Sequence, residues 1–171
     1  SVVAGAASVA GAVGGTVGAA VSLGVTLATN EIHNDVASYI VNADNYARST
    51  VGHILLDATS SANIKAIAAA ASLSASVGTV GLSFSGAGVG ATNTMLTKTH
   101  SYIANSLVNS AANVVLTSHN TSSIEATIIA ASAAAAGGAA GVGASIGASM
   151  AKNILGSSAA TPLEVQAYID N

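Results

Sequence analysis

The chain has 171 residues and a net charge of -3, and charged side chains make up only 6% of it, against roughly a quarter in ordinary soluble domains. Its basic residues, Arg48, Lys65, Lys98 and Lys152, are too few and too scattered to track a phosphate backbone, which argues against nucleic acid as a partner. The absence of cysteine excludes disulfides and thiolate metal sites.

Hydrophobic residues reach 51%, yet aromatics are 3% and Trp is absent. Much of the apolar content is Ala, which gains little from leaving water. A core of Ala, Gly and Ser must draw its stability from close backbone approach, dense hydrogen bonding and assembly. Low charge also removes the repulsion that keeps proteins apart. The first charge is Glu31, so no basic region precedes the first apolar stretch. The expectation is a processed leader or a segment of a longer chain.

The first element expected is a strand over residues 3–13. Val3, Gly5, Ala7, Val9, Gly11 and Val13 lie on one face at period two. Gly14-Gly15 suits a turn. A second strand follows, in which Val17, Ala19, Val21, Leu23, Val25 and Leu27 alternate with Gly18, Ala20, Ser22, Gly24, Thr26 and Ala28. Residues 34–48 are ambiguous. Val36, Tyr39, Ile40, Ala43 and Ala47 have helical spacing behind a capping Asn34, which suits a short helix or an irregular loop. A more polar strand comes next, with Ile54, Leu56, Ala58, Ser60, Ala62 and Ile64 on one face.

The same elements then recur. Ile67, Ala69, Ala71, Leu73, Ala75 and Val77 make a strand, Gly78 a turn, and Val80, Leu82 and Phe84 open a strand whose phase breaks at Gly86. Val114, Leu116, Ser118, Asn120, Ser122 and Ile124 match the polar strand. In the third copy, Gly137-Gly138 makes the turn, and Ala140, Val142, Ala144, Ile146, Ala148 and Met150 alternate with small residues. Three landmarks fix the alignment: Ile64-Lys65-Ala66 with Ile124-Glu125-Ala126; Asn30, Asn93 and Asn153; Tyr39, Tyr102 and Tyr168. The unit is therefore about 60 residues, with an insertion at 156–162 in the third copy. We expect a single repeat domain over 1–171, with copies at approximately 1–63, 64–123 and 124–171, cut within the repeat at both ends. That suits a segment of a longer array or a self-assembling protomer.

Two other readings of the uncharged stretches compete with strands. Ala is the best helix former, but the recurring Gly costs about 1 kcal/mol each inside a helix. The stretches are long enough to span a bilayer. However, Leu, Ile, Phe and Val are sparse and no aromatic or basic belts flank them, which argues against an Ala/Gly-rich helical membrane protein.

The fold expected is all-β, β-solenoid-like or a stack of β-arches. Stacked copies would bring equivalent residues together. Lys65 and Glu125 would form an inter-layer ion pair of opposite sign. Asn30, Asn93 and Asn153 could form a ladder, or simply occupy turns. Tyr39, Tyr102 and Tyr168 could pack in register, or form exposed adhesive rings.

Catalytic and binding motifs are weak. Gly143-Ala144-Ser145-Ile146-Gly147 matches a nucleophile elbow, but would need a strand-to-helix turn with a paired His and acid. His33, His53, His100 and His119 lack metal-ligand spacing, although His33 with Asp35 could hold a metal weakly. Gly86-Ala87-Gly88-Val89-Gly90 lacks the acidic partner of a dinucleotide fingerprint, and no Gly-rich segment leads into the Lys-Ser or Lys-Thr of a phosphate loop. We expect no catalytic, cofactor-binding or metal residues, no cofactor and no small-molecule substrate.

Residues 59–71, 141–153 and 167–171 carry a further signal: a Ser/Thr-rich strand, an Ile-Lys-Ala start, alternating Ala and Ser, a Gly-Val-Gly stretch, an Asn, and an Ala-Tyr-Ile-Asp-Asn close. This pattern resembles the repeats of giant bacterial filamentous adhesins, the hemagglutinin-like and leukotoxin-like surface proteins. Amyloid-like sheath or fibre subunits share the composition. The resemblance implies a β-solenoid-like fold, an extracellular, cell-surface location and no catalytic residue. The insertion before Pro162, and His33 and Asp35 in the first connector, depart from the pattern. The function expected is that of a non-enzymatic structural protein whose partners are copies of itself, or of a segment of a surface adhesin.

Overall fold

The computed structural model describes residues 1–158 and 161–170. The protein is all-β, with no helix among the described residues. In chain order its strands are β1 (Val2–Val13), β2 (Val17–Val41), β3 (Ala47–Ser49), β4 (Ile54–Ser60), β5 (Asn63–Val77), β6 (Val80–Ala104), β7 (Val108–Ser110), β8 (Val114–Asn120), β9 (Ser123–Gly137), β10 (Ala140–Leu155), β11 (Ser157–Ser158), β12 (Thr161–Pro162) and β13 (Glu164–Asp170).

Apart from the short β11/β12 pair, strands pair with their equivalents in the next copy, not with their neighbours in sequence. One sheet runs β1-β5-β9; a second runs β10-β6-β13, with β2 also on β6; β3 pairs with β7 and β4 with β8. The β1/β5, β3/β7, β4/β8 and β6/β13 pairs are parallel. A glycine-linked strand pair would ordinarily be a hairpin, bonded strand to strand. Here the two strands of a copy turn their side chains towards each other, and their backbones bond to the copies on either side. That arrangement is a β-arch.

The register follows from connector lengths. Val2 sits beside Ala66, a separation of 64. Copy one turns through Gly14-Gly15-Thr16 and copy two through Gly78-Thr79, so the separation drops to 63 at Asn30 and Asn93. The loop 42–46 is longer than 105–107, and Ala47 pairs with Val108. From Ile54 and Val114 onward the separation is 60, and it is still 60 at Asn93 and Asn153. The turns are stitched across layers as well. Gly14 N donates to Val77 O at 2.9 Å, Val80 N to Thr16 O at 2.8 Å, and Gly78 N to Gly137 O at 3.2 Å. Gly138 is needed in its turn: its φ is +140°, and a Cβ there would collide with Gly78 O.

In copy three the strand path is interrupted between β10 and β13 by the insertion. The chain leaves at Gly156, whose φ is +61° and whose N bonds Met95 O at 2.8 Å. It forms the short antiparallel β11/β12 pair and re-enters at β13, where Glu164 lies beside Lys98. Ala159 and Ala160, within that insertion, and Asn171, the last of the landmark residues, lie outside the described residues.

Two sequence expectations need correction. Residues 34–41 are neither helix nor loop but the end of β2. Their apolar spacing suits a helix, but pairing with β6 satisfies every second backbone group, and such tertiary pairing overrides local preference. The strand stops at Asn42, and its equivalent β6 stops at Asn105. Both are left-handed, with φ of 56° and 44°, a conformation Asn tolerates. The second correction concerns Gly86. There is no phase break there: alternation continues unbroken through β6, with Ala87, Val89 and Ala91 buried. What changes is the kind of residue on each face, since Gly86, Gly88 and Gly90 take the outward positions.

The contacts divide the chain into two compact units, and each unit draws on all three copies. The first comprises 1–30, 65–93 and 125–153. Its buried cluster is Ala28, Ala68, Ala70, Ala87, Val89 and Ala91. Ser pairs clip its facing sheets together: Ser8 with Ser22 at 2.8 Å, Ser72 with Ser85 at 2.6 Å, and Ser74 with Ser83 at 2.7 Å. Inward glycines allow this proximity, since a Cβ on Gly24 would lie 2.8 Å from Ala71 O. The second unit comprises 31–64, 94–124 and 154–171. It buries Leu56, Ile64, Met95 and Ile103 with Thr97, Thr99 and Ser101. There Ser101 Oγ donates to Leu56 O at 2.9 Å, and Asn120 Nδ2 to Thr97 Oγ1 at 2.8 Å.

Candidate functional site

The chemistry-bearing features of this molecule are rows of equivalent residues and the surfaces they leave open. In the first unit, Asn30 Nδ2 donates to Asn93 Oδ1 at 2.7 Å, and Asn93 Nδ2 donates to Asn153 Oδ1 at 2.8 Å. Asn93 is wholly buried. The ladder has a direction. It leaves the Asn30 carbonyl oxygen as an acceptor on the first layer and the Asn153 amide as a donor on the third. Lys65 Nζ lies 3.5 Å from Glu125 Oε2, with both side chains more than half exposed.

In the second unit, the rings of Tyr39 and Tyr102 stack at 5.4 Å with an interplanar angle of 18°, and those of Tyr102 and Tyr168 at 5.2 Å and 4°. These spacings sit close to the roughly 4.8 Å strand separation, so the rings follow the backbone. Tyr39 remains 60% exposed. Glu164 bridges two residues of the layer above it: its Oε2 is 3.7 Å from Lys98 Nζ and 3.1 Å from His100 Nε2.

The outward face of the first unit was not foreseen. Alternation alone does not say which face is inside. The structure places the small residues inside and the large aliphatic ones outside. Leu23 is 71% exposed and Leu27 77%, with Val17, Val21 and Val25 close behind. Val3, Val9 and Val13 of β1, and Ile146 and Met150 of β10, are exposed as well. A hint was available in the volumes: Ala20, Ser22, Gly24, Thr26 and Ala28 are the set that two sheets can clamp closely.

The catalytic and binding motifs fall on strands. Ser145 is in the middle of β10, with no strand-to-helix turn to expose it. Gly86 to Gly90 is strand β6, not a loop cradling a ligand. His33 bonds its neighbour Glu31 at 2.7 Å, and His53 Nδ1 accepts from the Asn113 amide at 3.1 Å. His119 lies in β8. Among the described residues, no group of three or more His, Asp or Glu could hold a metal, and no helix is long and apolar enough to cross a membrane. Comparison with protein-family models, with curated proteins and with solved structures returned no match.

Proposed function

We propose that this protein is a non-enzymatic structural element of a cell surface that assembles with copies of itself by continuing its strand stack into a fibre, sheath or layer. The observation that carries this reading is the directional Asn ladder on open strand edges. The ladder ends on β2 and β10, each bonded to β6, and β1 and β9 are the outer strands of the three-stranded sheet. An edge strand with unpaired backbone groups is a template for another chain. A copy added below the third layer would bring its Asn30 acceptor to the Asn153 donor and its Tyr39 ring beneath Tyr168. Such a contact is head-to-tail and does not close, so it propagates as a filament. Little charge opposes it.

Electron microscopy and fibre diffraction of the purified protein test this directly. Ordered fibres with a meridional spacing near 4.8 Å are expected. A monomer at all concentrations in analytical ultracentrifugation would sink the reading. A second reading has its own support. The covalent chain already climbs from layer to layer, at a separation that narrows from 64 to 60 and then holds at 60 as far as Asn93 and Asn153, so further copies within one chain would lengthen the stack without any polymer. That is the behaviour of a repeat segment of a surface adhesin, and the monomeric outcome would favour it.

A further inference from the structure

The outward face of β2, β6 and β10 in the first unit carries a relief as well as apolar character. Its outer rows are raised and its middle row is empty. Leu23, Val25 and Leu27 stand along β2, and Ile146, Ala148 and Met150 along β10. Between them β6 presents Gly86, Gly88 and Gly90. Leu23 and Leu27 lean over the margin: their Cδ2 atoms come within 2.8 Å of where a Cβ on Gly86 or Gly90 would sit. Gly88 is more open, its nearest neighbour being Val25 Cγ2 at 3.9 Å. The result is an apolar furrow of two hollows, about 340 Å³ and 280 Å³, the first bounded by Leu23 and Ile146, the second by Leu27 and Met150.

We propose that this furrow receives the Leu23-Val25-Leu27 ridge of a second copy of the chain, so that two stacks pair face to face. Three features select a second copy. The ridge and the furrow share a spacing, because both follow alternate residues of adjacent strands in register. A two-fold axis along the strands sets one ridge in each furrow, an isologous contact. Residues 17–30, 80–97 and 140–151 of these strands hold no charge, so identical faces do not repel. The area then sets the order of events. The 17–27 span across three strands covers about 500 Å², short of the roughly 800 Å² per partner of a stable interface. One molecule cannot pair alone, whereas two stacked molecules can. Lateral pairing therefore rests on the stacking proposed above and follows it.

Mass per length from scanning transmission microscopy of grown fibres reads the pairing directly. The variants are Gly88→Val, which fills the furrow with a residue that favours strands, and Val25→Lys, which puts a charge on the ridge. Wild-type fibres should show twice the mass per length of a single stack, and both variants should fall to half the wild-type value with the 4.8 Å spacing kept. Unchanged mass per length in both variants overturns the pairing. Wild-type fibres of single-stack mass overturn the pairing but leave the stacking intact, whereas no fibres at all overturn the stacking and the pairing together. Flotation with phosphatidylcholine vesicles is the remaining arm. Wild-type binding that Val25→Lys abolishes, with fibre mass unchanged, would assign the face to a lipid surface and sink the proposal.

Discussion

The two units solve the same problem with opposite materials. The first holds Lys65, Glu125 and Lys152 as its charges and has neither His nor Tyr; the second holds all four of each and the remaining charges. The second unit is conventional in burying Leu56, Ile64, Met95 and Ile103. The first buries mainly Ala, Ser and Gly, with Val89 among them, and shows its Leu and most of its Val to the outside. A buried Leu is worth about 1.5–3 kcal/mol of transfer free energy, and the first unit forgoes that in its own interior. It gains instead from sheets close enough for Ser hydroxyls to bond across them, at about 1 kcal/mol each. The lesson is that large aliphatic residues in an alternating strand need not mark the core. Where one face is small enough to let two backbones approach, that face becomes the inside.

Truncating a large side chain in each unit gives the sharpest contrast. Met95→Ala, at a wholly buried site, should cost about 3 kcal/mol, whereas Leu23→Ala should change monomer stability by less than about 0.5 kcal/mol. Urea unfolding followed by circular dichroism reads both, and equal losses would collapse the distinction. Next in size, Ala68→Leu should cost about 2 kcal/mol by overpacking a site with 0% exposure. A stabilising effect there would mean that the sheets of the first unit stand further apart than described. Asn93→Ala should cost about 1.5 kcal/mol, since it removes both rungs of the ladder; it should also slow fibre growth more than Asn109→Ala, a control in β7. Smallest is Lys65→Ala, at about 0.3 kcal/mol, because the Lys65–Glu125 pair is exposed and screened. Its effect should vanish in 1 M salt, where the screening length is about 3 Å.

Much of the architecture was legible in the residues. Period-two alternation and Gly turns specify strands, because no other backbone state puts alternate residues on one face. The recurrence of Asn30, Asn93 and Asn153 carries the register, as does that of Tyr39, Tyr102 and Tyr168, since side chains in a parallel stack meet their own kind. The 34–48 segment misled because Val36, Tyr39 and Ile40 satisfy a helical pattern as well as a strand. Gly86 misled because hydrophobicity stood in for orientation. At that point the apolar residues change faces while the backbone does not.

By itself, the sequence determined the strands, the turns, the repeat and the partners in each ladder. These are local choices, or consequences of one copy meeting another. Only the tertiary structure decided which face of each strand lies inside. That choice depends on how closely two sheets can approach, and the approach is set by both faces together. It turned the Ala, Ser and Gly positions into a core and left Leu23, Val25 and Leu27 facing outward beside a row of glycines.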